Sequence, residues 1–142
     1  MSENKMQLKF TAISENQAFA RVTVAAFATR LNPTMADVTE IKTAVSEAVT
    51  NAIIHGYDGF DGTKAVVIIR AKVEGREIFV EVEDFGRGIK DIAQAREPMY
   101  TSKPNDERSG MGFTVMEEFM DAIEVHSKPG EGTVVKMRKE IV

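Results

Sequence analysis

Glu47 and Asn51, a carboxylate and a carboxamide, stand four residues apart in a stretch predicted to be helical. Residues at positions i and i+4 lie on one helical face, with Cβ atoms about 5–6 Å apart. On such a face Glu47 could act as a general base while the amide oxygen of Asn51 holds a hard cation. A lone E-x-x-x-N pair more often belongs to a solvated helix face. The functional interpretation therefore needs support from the rest of the chain.

A second candidate is the D-x-G-x-G motif that starts at Asp84 and contains Gly86 and Gly88. Strand side chains alternate between two faces, so Asp84 continues the apolar face of the preceding segment, 78–82. A carboxylate that points inward needs a hydrogen-bonding partner, which an exocyclic amine such as that of adenine would supply. Taken alone, the motif is more often a strand end followed by a glycine turn.

The sequence Ser109-Gly110-Met111-Gly112 precedes a predicted helix and is a candidate phosphate cradle. The first amides of a helix lack internal partners, and the helix dipole favours anions at that end. Lys103 and Arg108 would add charge-assisted hydrogen bonds. An ordinary loop that ends in a helix cap explains the same residues equally well.

Two further residues, His55 and Thr133, could complete a pocket. His55 lies one helical turn beyond Asn51, where it would line the pocket wall or cap a loop. Thr133 alternates with Val135 and Met137 in a predicted strand, so its hydroxyl is expected to point inward. There it could support Asp84 or the catalytic base.

Composition narrows the class of protein. The chain has 142 residues, of which 43% are apolar and 28% charged, as expected for one globular domain spanning 1–142. The absence of cysteine excludes disulfides and thiolate metal sites, and the two distant histidines make a zinc site improbable. A net charge of −4 argues against direct binding to nucleic acid. No segment is typical of a membrane span or signal peptide, so we expect a cytoplasmic protein without membrane contact.

Two capping signals set the predicted helices. A capping box over 14–17, with Ser14 as the cap, would open a helix running to about Leu31. A second signal at Thr34 opens a helix expected to end at a glycine cap, Gly56. The remaining elements are predicted strands at 7–12, 65–73, 78–85, 123–127 and 133–138 and helices at 91–96 and 113–121.

These elements must position the candidate residues. At 100° per residue, Glu47 lies roughly 150° and Asn51 about 110° from the middle of the apolar stripe of the second helix. Both are therefore expected off the main core face. The order of elements predicts an α+β fold, a two-layer α/β sandwich with helices on one face of a mixed, mostly antiparallel sheet. The long irregular segment 86–109 would form a lid.

The order E-x-x-x-N, D-x-G-x-G, a long lid, G-x-G and G-x-G-T resembles the nucleotide-binding boxes of the GHKL superfamily, which includes gyrase, Hsp90, histidine kinases and MutL. The resemblance covers 46–137 and implies the Bergerat ATP-binding fold. Within the superfamily, the sequences of 47–57, 100–104 and 107–113 resemble the small anti-sigma serine kinases of spore-forming bacilli. With the stretch 16–22, nearly the whole chain shares this resemblance.

The resemblance implies a role for each candidate residue, with ATP or ADP and Mg²⁺ as ligands. Glu47 would be the general base, Asn51 the magnesium ligand and Asp84 the adenine-binding carboxylate, with Gly86 and Gly88 shaping the adenine pocket. The other residues expected around the nucleotide are Asn51, His55, Thr101, Ser102, Lys103, Arg108, Ser109, Gly110, Met111, Gly112, Phe113 and Thr133.

The resemblance also implies partners. The family forms homodimers, binds a sporulation sigma factor and phosphorylates a serine of a small anti-anti-sigma protein. Arg21 resembles the position through which the family contacts these partners. Three alternatives stay open: a nucleotide-regulated binding module without kinase activity, a catalytic domain of the histidine-kinase type, and a plain ATPase.

Overall fold

The computed structural model describes residues 3–57, 65–97 and 112–142. Within these ranges, no helix is long and apolar enough to cross a lipid bilayer. The helices are α1 (Asn16–Ala28), α2 (Met35–Asn51), α3 (Ile92–Ala95) and α4 (Gly112–Phe119), with a short 3₁₀ turn at Thr29–Leu31 and a π-helical turn at Ala52–Gly56. The strands are β1 (Asn4–Thr11), β2 (Val66–Glu74), β3 (Glu77–Asp84), β4 (Ala122–Lys128) and β5 (Gly132–Glu140).

The five strands form one sheet in the order β1-β2-β3-β5-β4. Two tight hairpins, β2–β3 and β4–β5, are joined because β3 pairs with β5, and β1 adds at the edge against β2. The predicted two-layer α+β sandwich is confirmed. The sheet was expected to be mixed and mostly antiparallel, and every pairing in the described part of the chain is antiparallel.

The core lies between one face of the sheet and the helices. Alternate residues of the central strands, such as Val80 and Val82, are buried on this face, as are Ile41 and Val45 of α2. Helix α2 contacts α1 and α4, so more than one of its faces is covered. The opposite face of the sheet carries charged pairs, among them Arg70 with Glu83 at 2.7 Å. This inside–outside alternation is the one that the strand patterns predict.

Helix α1 does not begin with the predicted capping box. Glu15 is the N-cap residue and makes no side-chain cap hydrogen bond. The Gln17 side chain donates instead to the Ser46 carbonyl, at 3.1 Å, and to the Thr50 hydroxyl of α2. The prediction was wrong because a contact between two helices replaces a local hydrogen bond of the same side chain.

Helix α2 begins as predicted and ends differently. The Thr34 hydroxyl accepts from the Asp37 amide, and the Asp37 carboxylate accepts from the Thr34 amide, which completes the capping box. At its end the helix widens into the π-helical turn, and Gly56 is not among the glycines with positive φ. The expected left-handed glycine cap is therefore wrong.

Lys139, a C-terminal residue for which the sequence suggested no role, makes a buried ion pair. Its ammonium group donates to Glu40 of α2 at 2.9 Å and to the Phe119 carbonyl at the end of α4 at 3.1 Å. Only 9% of the Lys139 side chain is exposed, against 36% for Glu40. The contact ties β5 to two helices, and the cation lies where a helix C-terminus favours it.

Replacing Lys139 by alanine should lower the free energy of unfolding by about 2 kcal/mol, because Glu40 and the Phe119 carbonyl lose a shared donor. The control Lys136→Ala removes a partly exposed ammonium 3.8 Å from Glu81 and should cost about 0.5 kcal/mol or less. Urea unfolding followed by circular dichroism measures both. If both variants lost the same free energy of unfolding, the ion pair of Lys139 would stabilise the fold no more than an exposed pair does.

Candidate functional site

A cavity of about 1000 Å³ opens where β3 ends and β5 begins, between the sheet and the helices α2 and α4. Its size is that of an ordinary small-ligand pocket. Apolar groups such as Ala48, Val82 and Val135 form part of its wall. Seven of the residues predicted to bind nucleotide line this cavity: Asn51, His55, Asp84, Gly88, Gly112, Phe113 and Thr133.

Asp84 is the buried charged group of this cavity. It is 5% exposed at the end of β3, and its carboxylate accepts a hydrogen bond from the Gly86 amide at 2.9 Å. Burial raises the pKa of Asp84 from 3.8 to about 6, against the lowering effect of hydrogen bonds from the Gly86 and Thr133 amides. The inward orientation predicted from strand alternation is thus found. The carboxylate can accept further hydrogen bonds from a ligand.

Glycines around Asp84 let three backbone segments come into contact. A Cβ atom on Gly56 would lie 2.9 Å from the Asp84 carboxylate, and one on Gly86 would lie 1.8 Å from the Gly56 carbonyl oxygen. That carbonyl accepts from the Arg87 amide at 2.8 Å. Gly56 is therefore required for close approach to Asp84, which explains its presence better than the helix cap that we had expected.

The second glycine of the motif meets the β4–β5 hairpin. Gly88 has φ +76°, and a Cβ atom there would lie 2.1 Å from the Lys128 carbonyl oxygen. The Gly130 amide donates to the Arg87 carbonyl at 2.7 Å. The D-x-G-x-G turn is thereby held between the π-helical turn on one side and the hairpin on the other.

The end of α2 forms the opposite wall. Asn51 and His55 both line the cavity, and the π-helical turn carries His55 to its position. A Cβ atom on Gly112 would lie 3.1 Å from the Asn51 side-chain nitrogen, so the first residue of α4 packs directly against Asn51. The amides at the start of α4 consequently adjoin the magnesium ligand that the sequence predicts.

Glu47 lies one helical turn before Asn51 and is only 8% exposed. This burial is compatible with the expectation that Glu47 lies off the main core face, because α2 packs against α1 and α4 as well as the sheet. Glu47 is not among the described residues that line the cavity. Its catalytic role stays a prediction.

Two polar residues of the site were missed by sequence reasoning. The Ser127 hydroxyl, on β4, accepts from the Ile89 amide at 2.7 Å and lies 2.8 Å from the Thr133 hydroxyl. The Tyr57 hydroxyl accepts from the Phe85 amide at 2.7 Å and donates to a β2 carbonyl at 2.5 Å. The alternation of β4 could have placed Ser127 inward, but its partner depends on strand pairing.

The remaining predicted residues are placed as follows. Gly86 is buried, and its amide donates to the Asp84 carboxylate. Arg21 is partly buried on α1. Seven predicted nucleotide contacts fall outside the described residues: Thr101, Ser102, Lys103, Arg108, Ser109, Gly110 and Met111.

Comparison with known proteins identifies the domain and the family. A model of the histidine kinase-like ATPase domain matches residues 10–139. An anti-sigma F factor of Clostridium acetobutylicum is 59% identical over 99% of this chain and 96% of its own length. The chain belongs to the anti-sigma F factor family. A member from Anoxybacillus flavithermus is 52% identical over 97% of this chain and 93% of its own length.

Solved structures show the same fold at low sequence identity. The catalytic domain of the histidine kinase ThkA has a TM-score of 0.59 and 18% identity, with 96% of each chain covered. The RsbU and RsbW domains of a Mycobacterium tuberculosis protein give a TM-score of 0.70 and 19% identity, over 97% of this chain and 32% of that one. The fold is that of the GHKL ATPase and kinase domains, and nucleotide binding follows from the domain.

The raised pKa of Asp84 predicts a pH-dependent stability difference. Between about pH 4 and pH 6 the folded chain holds this proton more tightly than the unfolded chain, so ionising Asp84 costs folding stability as pH rises. The stability of Asp84→Asn relative to the unmodified chain should therefore increase from pH 4 to pH 7, by on the order of 3 kcal/mol.

Urea unfolding at several pH values measures this difference. The control Thr39→Ala changes an exposed hydroxyl of α2 that does not titrate and should give a nearly constant difference. A constant difference for Asp84→Asn as well would show that the carboxyl group titrates normally in the folded chain.

Proposed function

We propose that this chain is an anti-sigma factor that binds and inhibits a sporulation sigma factor, and an ATP-dependent kinase that phosphorylates an anti-anti-sigma protein on serine. The observation that carries the proposal is end-to-end similarity to proteins named anti-sigma F factor, 59% identical over 99% of the chain. The cavity supports it, because residues from four separate segments meet there with groups suited to adenine and phosphates. We take 1–142 as one kinase domain.

In this proposal the base of ATP lies against β3 and β5. Asp84 accepts from the exocyclic amine of adenine, Gly86 and Gly88 shape the pocket, and Thr133 supports Asp84. The burial of Asp84 favours this assignment. A hydrogen bond from a donor stabilises a desolvated carboxylate more than it stabilises a solvent-exposed carboxylate. The apolar walls contributed by Ala52, Val82 and Val135 would enclose the ring.

The phosphates then extend toward α4. The first amides of this helix, at Gly112 and Phe113, have no acceptor within the helix and favour anions. The predicted contacts outside the described residues would close over the phosphates: Thr101, Ser102, Lys103, Arg108, Ser109, Gly110 and Met111.

The donor set at this end fits Mg²⁺ shared with a nucleotide. The described residues contain no group of three or more histidine, cysteine or acidic side chains able to hold a metal. Asn51 supplies one neutral oxygen, and Mg²⁺ commonly takes one or two protein oxygens together with phosphates and waters. When bound, the ion would neutralise charge on the transferred phosphoryl group.

The proposed reaction is in-line transfer of the γ-phosphoryl group to a serine hydroxyl. The serine oxygen bonds to phosphorus, the bond to the bridging oxygen breaks, ADP leaves, and Glu47 accepts the serine proton. Catalysis of this kind depends mainly on positioning and electrostatics. The position of Glu47 one helical turn before Asn51 on α2 supports this role.

Partner binding is assigned to α1. Helix α1 exposes two apolar residues one turn apart, Phe19 at 55% and Val22 at 54% exposure, and Arg21 immediately precedes Val22. A cation next to apolar surface is typical of a protein-binding site. We propose that Arg21 contacts the sigma factor and its antagonist, and that the protein acts as a homodimer.

Glu47→Gln should retain ATP binding and lose serine phosphorylation by about 100-fold or more, because the general base is removed with its shape preserved. The assay incubates the chain with ATP, Mg²⁺ and candidate anti-anti-sigma proteins and locates the phosphate by mass spectrometry. Glu118→Gln, on the exposed side of α4, is the matched control and should be fully active.

Three results would decide against parts of the proposal. Unchanged phosphorylation by Glu47→Gln would remove Glu47 from the base role. Acid-labile phosphohistidine in place of phosphoserine would favour a histidine-kinase-type domain. Sigma-factor binding with no phosphorylation by the unmodified chain would favour a nucleotide-regulated binding module.

Asn51→Ala should weaken ATP binding in Mg²⁺ by roughly tenfold, the effect of one charge-assisted contact. With EDTA in place of Mg²⁺, the two proteins should bind ATP more equally. Isothermal titration calorimetry measures both conditions, with Thr39→Ala on the exposed surface of α2 as the control. Equal affinities in Mg²⁺ would refute the metal-binding role.

A further inference from the structure

The Ser127 hydroxyl lies at the centre of a hydrogen-bond cluster on the cavity wall. It accepts from the Ile89 amide at 2.7 Å, lies 2.9 Å from the Gly132 carbonyl oxygen and lies 2.8 Å from the Thr133 hydroxyl oxygen. Ser127 and Thr133 are directly opposite each other in the β4–β5 pairing. Both residues line the cavity.

The capacity of these groups decides which hydroxyl donates. A serine hydroxyl has one hydrogen and two lone pairs. Because a carbonyl oxygen only accepts, the Ser127 hydrogen goes to the Gly132 carbonyl. The Ile89 amide occupies one lone pair of Ser127, so the contact between the two hydroxyls is made when Thr133 donates to the other.

This arrangement leaves Thr133 without a hydrogen to offer the cavity. Its oxygen keeps lone pairs and can only accept from a ligand. Asp84 is the cross-strand partner of Thr133 in the β3–β5 pairing, and its carboxylate is likewise an acceptor. Asp84 and Thr133 therefore both present acceptors where the base is proposed to bind.

We propose that Ser127 is a specificity-determining positioning residue, which by holding the Thr133 hydroxyl as an acceptor makes the cavity select 6-amino over 6-oxo purines. Adenine carries an amine, a donor, at the position where guanine and hypoxanthine carry a carbonyl oxygen, an acceptor. A carbonyl oxygen at this position repels the two acceptors, and a 6-oxo purine carries its nearest donor, the N1–H, one ring position away. The inference rests on the proposed binding of adenine beside Asp84.

The test compares ATP with inosine triphosphate, which differs in the six-membered ring of the base alone. The measured quantity is the ratio of the inosine triphosphate to the ATP dissociation constant, by calorimetry in Mg²⁺. The unmodified chain should prefer ATP. Ser127→Ala returns the Thr133 hydrogen to the cavity and should lower the ratio about tenfold, the effect of one ordinary hydrogen bond.

Further variants separate this role from a loss of folding. Ser127→Cys fills the same space with a sulfur that accepts weakly, so it should lower the ratio in the same direction if Ser127→Ala does not fold. His126→Ala, on the outward side of the same strand, should leave the ratio unchanged. Thr133→Val has no hydroxyl to orient, so adding Ser127→Ala to it should not change the ratio further.

The outcomes are distinguishable. Failure of the unmodified chain to bind ATP would overturn the proposed function, and this inference with it. ATP binding with the same ratio in Ser127→Ala and Ser127→Cys would overturn the inference alone. A fall in the ratio that is equally large in the Thr133→Val background would also overturn it, because Ser127 would then act without Thr133.

Discussion

The burial of Asp84 depends on close contact between backbone segments that come from distant parts of the chain. Gly56, at the end of the π-helical turn, leaves no Cβ atom against the Asp84 carboxylate, and Gly86, in the turn after β3, lets the backbone contact the Gly56 carbonyl group. Gly132, at the start of β5, allows close contact with the main chain of Asp84, since a Cβ atom there would lie 2.2 Å from the Asp84 carbonyl oxygen. Glycines therefore surround Asp84, and their lack of side chains allows the backbone to approach it closely.

That packing has an electrostatic consequence. Amides can reach the carboxylate because no side chain intervenes, and they offset part of the cost of removing it from water. Part of the cost remains, as the raised pKa of Asp84 indicates. A buried acceptor of this kind gains strongly from a ligand donor, so a group that is unfavourable for folding becomes favourable for binding.

The walls of the cavity are held by polar contacts between elements that are far apart in the sequence. Gln17 joins α1 to α2, and Lys139 joins β5 to α2 and α4. Local patterns identify such side chains only as possible caps or as exposed charges. Gln17 was predicted to cap its own helix because a capping box is recognisable over four residues, whereas a contact with Thr50 requires knowing that the two helices are neighbours.

The sequence by itself determined the elements, the inward direction of Asp84 and the capping box at Thr34, because period-two alternation and local hydrogen bonds act within a few residues. Its motif order also indicated the GHKL fold. Only the tertiary structure decided that Glu47 is buried, that Gly56 packs against Asp84, and that Ser127 faces Thr133. These depend on which strands pair and on which faces of α2 are covered, and such pairings are set by packing of the whole core rather than by neighbouring residues.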